Sequence, residues 1–498
     1  MKTILLSRRT MLQAAVSVAG VGLLAACGGT VTTTATTASG AATTAAATAA
    51  TTAAAKAATT AAAVAATSSG PAAPVNPTPK AGATQVIMHS WLEDPTDALW
   101  GPRIQAFEQA NPNIQIIRQW FPRGDMHTKE LALSATGQIG DIVRINVAPL
   151  TAELQAKNVL QPLDTFINQD AAWKTNDQTQ FWPANLATYT IQGKQWGFPM
   201  VGHPGCVQHF INTDMATKLG VKLPDASTGF KWTTDDATQM FQTMTQKGAD
   251  GRVSVYGLLS CLGGEGAVGV LRAFGGNYYS ADGKKMMINT PESIAGLTWL
   301  SDMFNKYKAE EPLQANPDPT QLFPNQTLSA FVSTSFQAPN MMRLVGSKFN
   351  FTVLPPPIGP SGKFATQVSS DGIAMSKASK HPPEAWTFLK FVISKDFGLN
   401  RFFAGLGSPG SRNDVWTAPE FAQKVPMLAS NIYPTLISPP SGNSPLVPWY
   451  YPANARYNEA DTAMTNILAD IWLGKKSPTD AANTAAQQVQ AILDQPVP

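Results

Sequence analysis

The run 193–214, GKQWGFPMVGHPGCVQHFINTD, constrains the fold more than any other stretch. A Gly-Lys turn opens it, and 195–198 reads as a short strand that Pro199 stops. Gly202, Pro204 and Gly205 break the chain, and 206–211 reads as a second strand. Asn212-Thr213-Asp214 then caps a helix starting near Met215. Strand, break and strand is what a chain needs to leave one lobe and enter another, so the first hinge crossing is expected near His203. At 498 residues the chain is too long for one core, and two lobes are expected.

The segments around this run alternate strand and helix. Residues 84–90 form an apolar strand, from whose end Trp91, Glu93 and Asp94 leave as a loop. Leu99, Ile104 and Phe107 mark the inner face of a helix over 99–109, and 114–119 is a second strand. This order implies a parallel sheet whose first loop lies at the carboxyl ends of the strands, where such sheets bind ligands. Helices at 127–135 and 147–156 flank a third strand that ends at Asn146. A helix starting at Thr233 carries Met240, Phe241 and Met244 inward. Strands are expected at 256–260, 328–333, 351–354 and 370–375, and long helices at 455–473 and 477–493. Ser335, Phe336 and Gln337 end the strand at 328–333.

Before this body lies a different kind of chain. Arg8-Arg9 precede an apolar run, 11–26, that is too short and too rich in Ala and Gly for a good membrane span, so 1–26 reads as a signal peptide. Leu24-Ala25-Ala26-Cys27 resembles a lipobox, with Cys27 receiving a lipid after cleavage. Ser7 to Leu12 resembles a twin-arginine export signal, the general secretory route being the alternative. Residues 27–83 are mostly Ala, Thr and Pro, without apolar periodicity, and read as a disordered tether. About 50 such residues reach roughly 40 Å as a coil and on the order of 170 Å stretched. Lys plus Arg number 36 against 33 acids; Lys2, Arg8 and Arg9 precede Cys27 and no acid does, so the mature chain is formally neutral. No basic field for nucleic acid or acidic lipid remains.

Several motifs together resemble the extracellular solute-binding proteins that feed sugar-importing ABC transporters, the family of maltose-binding protein. Gly193, Lys194, Gly197, Pro199, Asn212 and Asp214 match its hinge run, with Trp196 where Tyr is usual. Ala106-Phe107-Glu108 with Asn111-Pro112-Asn113-Ile114 is similar to its first helix and turn, and Gly140-Asp141-Ile142-Val143 to its next strand without the usual Pro. The order Gly275-Gly276, Asp282-Gly283-Lys284, Pro291-Glu292 follows, and Pro383-Glu384-Ala385-Trp386 with Lys390-Phe391 is the most specific match. Gly407-Ser408-Pro409-Gly410-Ser411-Arg412 resembles a third hinge crossing. The resemblance covers about 85–495. It implies an α/β, two-lobed periplasmic-binding-protein-like fold of type II with a three-strand hinge. Lobe one is then 84–203 with 370–408, and lobe two 204–369 with 409–498. The implied protein is a monomeric lipoprotein outside the cell membrane that captures a sugar or related solute and hands it to permease subunits. A sensory or glycan-adhesion receptor on the same scaffold, and an extracytoplasmic glycan-active enzyme, are the alternatives.

Other chemistry finds little support. Gly264-Glu265-Gly266-Ala267-Val268-Gly269 is a literal dinucleotide fingerprint, yet it arrives after one lobe is already built, and it is expected to be a flexible loop. His203 and His209 do not share a helix face, and no Cys or acid cluster completes a metal site. No Gly-x-Ser-x-Gly motif occurs and no paired acids stand out from ordinary surface charge, so no catalytic residue and no cofactor is assigned. Cys206 and Cys261 are expected as buried thiols, with pairing in an oxidising exterior the alternative. A sugar receptor needs aromatic faces, amides and carboxylates. The candidates are Trp91, Glu93, Asp94, Asn146, His203, Gln208, Glu265, Phe336, Gln337, Asp371, Trp449 and Tyr450.

Overall fold

A computed structural model of the chain describes residues 78, 80–91, 97–145, 150–205, 207–262, 264–312, 317–405, 408–438, 446–449 and 454–496. For 203–204, 264–265, 366–369 and 446–449 it describes the backbone alone. All of these residues lie in one compact unit, Ala72–Pro498.

The first sheet begins with β1 (Thr84–Trp91), α1 (Trp100–Ala110), β2 (Ile114–Phe121), α2 (Met126–Ala135) and β3 (Ile142–Ile145). Ile104 and Phe107 bury the expected face of α1, joined by Trp100, while Leu99 is buried just before the helix starts. Both β2 and β3 run parallel to β1. β4 (Phe198–Pro204) follows, then β5 (Gln208–Asn212) in the second sheet. Further along come α3 (Thr234–Met244), α4 (Gly264–Ala273), α5 (Pro291–Asn305), β6 (Ala330–Ser333), α6 (Gln337–Val345), β7 (Phe351–Leu354) and β8 (Phe364–Met375). The chain closes with α7 (Pro382–Val392), β9 (Leu446–Trp449), α8 (Tyr457–Trp472) and α9 (Pro478–Leu493).

The first sheet has the order β9-β8-β3-β1-β2, with β4 also paired to β8. The second is β6-β5-β7, all antiparallel. Each has its own core. Val86, Met88, Ile114 and Ile116 meet Phe388 and Leu389 of α7 in the first. In the second, Phe210 and Phe331 stack with centroids 4.6 Å apart, both fully buried. Burial of each such ring contributes about 1.5–3 kcal/mol. Trp182, Ala184, Leu399 and Phe402 also belong to this cluster. A third cluster packs α4 and α5 against α8 and α9.

β8 is the longest strand of the first sheet and joins its parallel strands to β4. It pairs antiparallel with β3 through Gly372–Ile145 and with β4 from Val368–Pro204 to Ile373–Phe198. Residues 368–371 of β8 therefore run beyond the carboxyl end of β3, in company with 201–204 of β4. The segment 408–412 meets this ribbon at Gly202. Gly202 lies opposite Ser370, its carbonyl accepts from Ser408 Oγ at 3.4 Å, and Ser411 packs on its Cα.

Three sequence expectations need correction. Pro199 does not stop a strand: 194–195 forms a small ribbon with 190–191, and β4 runs through Pro199 to Pro204. Among the described residues β4 pairs only with β8, and Pro199 sits opposite Gly372 beside a register shift, so its missing N–H breaks no ladder there. The break in the chain accordingly comes at Gly205, past His203. Residues 256–260 form isolated parallel bridges and hydrogen bonds beside β6, not a regular strand. The glycine run at 264–269 is the first part of α4, not a loop. Its glycines serve close packing: a Cβ on Gly266 would fall 1.7 Å from the Cys261 carbonyl oxygen, and one on Gly269 2.7 Å from Val207 Cγ1.

A Cβ on Gly202 would lie 1.8 Å from Ser411 Oγ and 2.5 Å from Asn185 Nδ2. Gly202→Ala is therefore expected to lower unfolding free energy by about 1–3 kcal/mol. Gly124→Ala, where nothing lies within 4 Å of the new methyl, is expected to stay within about 0.5 kcal/mol. Denaturant titration of the two variants checks this, and equal stabilities would contradict the packing assigned to Gly202.

Candidate functional site

Strand directions fix where a site can lie. β1, β2 and β3 all end on the edge that β4 and β8 overrun. In the second sheet, Ser333 at the end of β6 lies opposite Gln208 at the start of β5, so β6 also ends toward the hinge. Residues 256–260 run parallel to β6 and end there too. Both lobes thus direct carboxyl ends at the hinge, the place where open α/β sheets hold ligands.

On the first lobe the edge carries an aromatic and charged cluster. The Arg144 guanidinium lies 3.4 Å from the centroid of the Trp91 ring. Arg144 is fully buried; its Nη1 donates to Ser90 Oγ at 3.2 Å, and its Nη2 lies 3.8 Å from Asp371 Oδ2. Arg123, just past β2, places its guanidinium 5.0 Å from the Trp91 centroid and donates to Asp371 Oδ1 at 3.5 Å. Behind the cluster, the Tyr189 hydroxyl meets Ser370 Oγ at 3.1 Å, and its ring takes the space that a side chain at 372 would need. Burial pushes the Tyr189 phenol well up, so it stays a neutral hydroxyl. Glu130 of α2 is buried and accepts from the Arg144 backbone; burial raises its carboxyl well above the ordinary range.

The second lobe contributes a different surface. Phe336 precedes α6 and is 44% exposed, the most exposed large apolar side chain among the described residues. Gln337 accepts from Asn340 Nδ2 at 3.3 Å. Gln208 is fully buried and accepts from Ser335 Oγ at 3.0 Å, so it braces the end of β6 from inside. Ser260 gives both its backbone N–H and its hydroxyl to the buried Glu310 carboxyl. Next to it, Cys261 is disulfide-bonded, which corrects the expectation of a buried thiol. The chain's other cysteines, Cys27 and Cys206, lie outside the described residues.

Of the sequence candidates, the structure brings Trp91 and Asp371 together and leaves Phe336 open. The backbone of His203 lies in β4 opposite Ser369, Glu265 lies in the first turn of α4, and Trp449 pairs with Gln367. Glu93, Asp94, Asn146 and Tyr450 fall outside the described residues, as does Cys27. Sequence reasoning missed Arg123 and Arg144. Their signal was position: each lies at or just past the carboxyl end of a strand next to β1.

Two other features offer no comparable site. Desolvation lowers the imidazole of His89 to about 4 and that of His209 to about 4, so both are neutral packing groups near pH 7. His209 stacks with Phe241 and meets Trp232 edge-on. A cavity of about 40 Å³ lies inside lobe two, walled by His209, Leu258, Val270, Trp299 and Pro356. A sugar-sized ligand needs a few hundred Å³, so this space suits only small molecules such as water.

Comparisons with known proteins agree with this geometry. The family model of the bacterial extracellular solute-binding protein matches residues 89–397. An ABC substrate-binding protein from Listeria monocytogenes, solved in complex with cycloalternan, superposes with a TM-score of 0.68. It shares 20% identity, with 82% of this chain and 98% of that chain covered. The sugar-binding protein MalE from Xanthomonas citri superposes at 0.67 with 17% identity, covering 82% of this chain and 97% of that chain. An arabinooligosaccharide-binding protein from Halalkalibacterium halodurans is 21% identical over 455 residues, which is 83% of this chain and 91% of that protein.

The Glu310 bond yields a pH test. Burial raises the Glu310 carboxyl from 4.5 to about 7. The folded state then binds its proton more tightly than the unfolded state does. Its stabilising contribution is full below about pH 4.5 and is lost as pH rises through about 7. Glu310→Gln is expected to remove a decline on the order of 3 kcal/mol across that window. Unfolding free energies of both proteins at pH 4.5 and 7.5 check this; parallel curves would refute it.

Proposed function

The chain belongs to the bacterial extracellular solute-binding proteins, and from that premise we propose that it captures a carbohydrate, an oligosaccharide or related polar solute, for an ABC importer. The observation that carries the reading is the Trp91–Arg144–Asp371 cluster, placed where the strands of lobe one meet the hinge. Trp91 is 5% exposed, with Arg144 over its ring, so a solute reaches the indole on the side that Arg123 covers; there the ring meets C–H faces while the charged groups exchange hydrogen bonds with hydroxyls. Phe336 supplies an apolar surface from lobe two. A solute that touches both lobes favours the closed state, because only closure makes both sets of contacts. No covalent step is needed. Glu93, Asp94, Asn146, His203, Glu265, Gln337, Trp449 and Tyr450 complete the proposed contact set, and Gln208 supports it from behind. The lobe boundaries expected from sequence belong to this proposal.

The N-terminal region fits the same task. Cleavage before Cys27, lipidation of that thiol and the tether at 27–83 hold the receptor at the outer face of the membrane. The twin-arginine pair directs export of the chain, and the monomer delivers solute to permease subunits. No described helix is long and apolar enough to cross a membrane. Cys27 is the anchor in this proposal. Cys27→Ser is expected to move the protein from the membrane fraction to the medium or periplasm. Fractionation checks this, and unchanged membrane association of the variant would refute the anchor.

Calorimetry against a panel of oligosaccharides, polyols and sugar phosphates tests the binding reading, and heat from none of them would count against it. Phe336→Ala is expected to weaken the best ligand about tenfold, the usual loss for removing one aromatic contact. Because Phe336 is 44% exposed, its removal should leave the unfolding midpoint nearly unchanged. Full affinity in that variant would remove Phe336 from the site.

A further inference from the structure

Asp371 is engaged in this structure by a side chain that reaches it from the far side of the sheet. Arg123 follows β2, whereas Asp371 lies on β8; β1 and β3 stand between them in the sheet. Adjacent strands are about 4.8 Å apart, so the two backbones are separated by roughly 14 Å. The Arg123 side chain spans much of that distance over the carboxyl ends of β1 and β3. It passes 5.0 Å from the centroid of Trp91 and ends 3.5 Å from Asp371 Oδ1. A cation over an indole face and a donor on a carboxylate are the two contacts a sugar would make here: one apolar face, one hydroxyl.

Arg123 differs from Arg144 in a way that matters. Arg144 is fully buried and part of the floor. Arg123 has 59% of its side chain exposed, and its contact with Asp371 is long for a charge-assisted bond. An exposed pair of this kind is worth little and is easily broken, in part by salt. Two bidentate pairs elsewhere are tighter: Arg118 grips Asp97 with bonds of 2.6 and 2.8 Å, and Arg412 holds Asp414 at 2.8 and 3.0 Å.

We propose that Arg123 is a specificity-setting residue that occupies the site in place of solute, strapping Trp91 and Asp371 until a ligand displaces it. The proposal rests on the binding reading above and adds a statement about ligand class. To take Asp371 from a guanidinium, a solute must offer hydrogen-bond donors beside an apolar face. Vicinal hydroxyls on a sugar ring do so; an ionised carboxylate or phosphate does not, because an acceptor-only group has no donor to give Asp371 in place of the guanidinium. Arg123 thereby biases the site toward neutral polyhydroxyl rings and lowers the affinity of every ligand by the strength of its own two contacts.

Two measurements on the full-length exported protein test this. The first needs no ligand. Acrylamide quenching of tryptophan emission is compared in wild type and Arg123→Ala, each with and without Trp91→Phe, to isolate the share of Trp91. That share should become more quenchable in Arg123→Ala, and in wild type at salt above ~0.5 M, where exposed ion pairs are screened. Quenching unchanged by both would overturn the strap. The second is calorimetry with the best neutral sugar of the panel. Arg123→Ala should bind it about two- to fivefold more tightly. Raising salt should strengthen wild-type binding but leave the variant unaffected. A loss of tenfold or more in Arg123→Ala would make Arg123 a direct ligand contact and overturn the proposal. If no panel member binds either protein, the carbohydrate reading fails, while the quenching arm still decides whether the strap exists.

Discussion

Three chain segments share one small space, and the rest of the molecule depends on that close approach. At Gly202 the backbone of β4 lies opposite Ser370 of β8 and under Ser411 of the third segment. A residue without a Cβ lets all three backbones approach there. A second glycine does the same one step away, where Gly372 leaves room for the Tyr189 ring against β8. The consequence is directional. Because β8 runs antiparallel to β3, the residues just before Gly372 project past the carboxyl ends of the parallel strands. Asp371 therefore meets the side chains that leave β1, β2 and β3. The ladder that joins β8 to β3 and β4 also assembles the cluster.

The electrostatics of that cluster follow from burial. A guanidinium cannot be stripped of water without replacement partners. Arg144 receives Ser90, the Trp91 face and the neighbourhood of Asp371 in exchange. The cation–π contact is worth about 2 kcal/mol when desolvated, and a hydrogen bond to a charged group about 1.5–3 kcal/mol. Nearby ionisable groups carry less charge than the sequence suggests. Glu130 is driven toward its protonated form and His89 toward its neutral form by burial. Charge in this part of lobe one is thus concentrated at the strand ends, where hydroxyl-rich solutes can use it.

Much of the fold was readable because its signals were local. The capping box of Thr233 and Asp236, the apolar face of α1 and the strand at 351–354 stand where spacing and caps placed them. The failures were long-range. Pro199 reads as a strand breaker until one sees that, among the described residues, its strand has a neighbour on one side only. Gly266 reads as a loop residue until the Cys261 carbonyl is found packed against it across the helix start. The ten-residue π-helix over Leu428–Ile437, with Pro434 inside it, carries no local signal for that winding. The site was legible to a similar degree. Trp91 and Asp371 could be proposed from strand ends, but Arg144 looks like an ordinary strand residue in sequence. Only the pairing of β8 with β3 brings its guanidinium within reach of Asp371.

A receptor that releases its cargo cannot complete its site within one lobe. Here the charged and aromatic half is rigid: Arg144 is anchored in β3, Trp91 ends β1, and both belong to strands paired along the sheet. The other half is held differently. Phe336 projects from a helix start, and Ser260 hangs on the Glu310 carboxyl just before α4. A solute resting on the first half alone gains one face of contact. Closing the second half over it adds an apolar surface and removes water, which strengthens every hydrogen bond already made. In the proposed cycle, the contacts added on closure must exceed whatever free energy favours the open state, and a partner that binds the closed form differently would shift that balance through the same hinge.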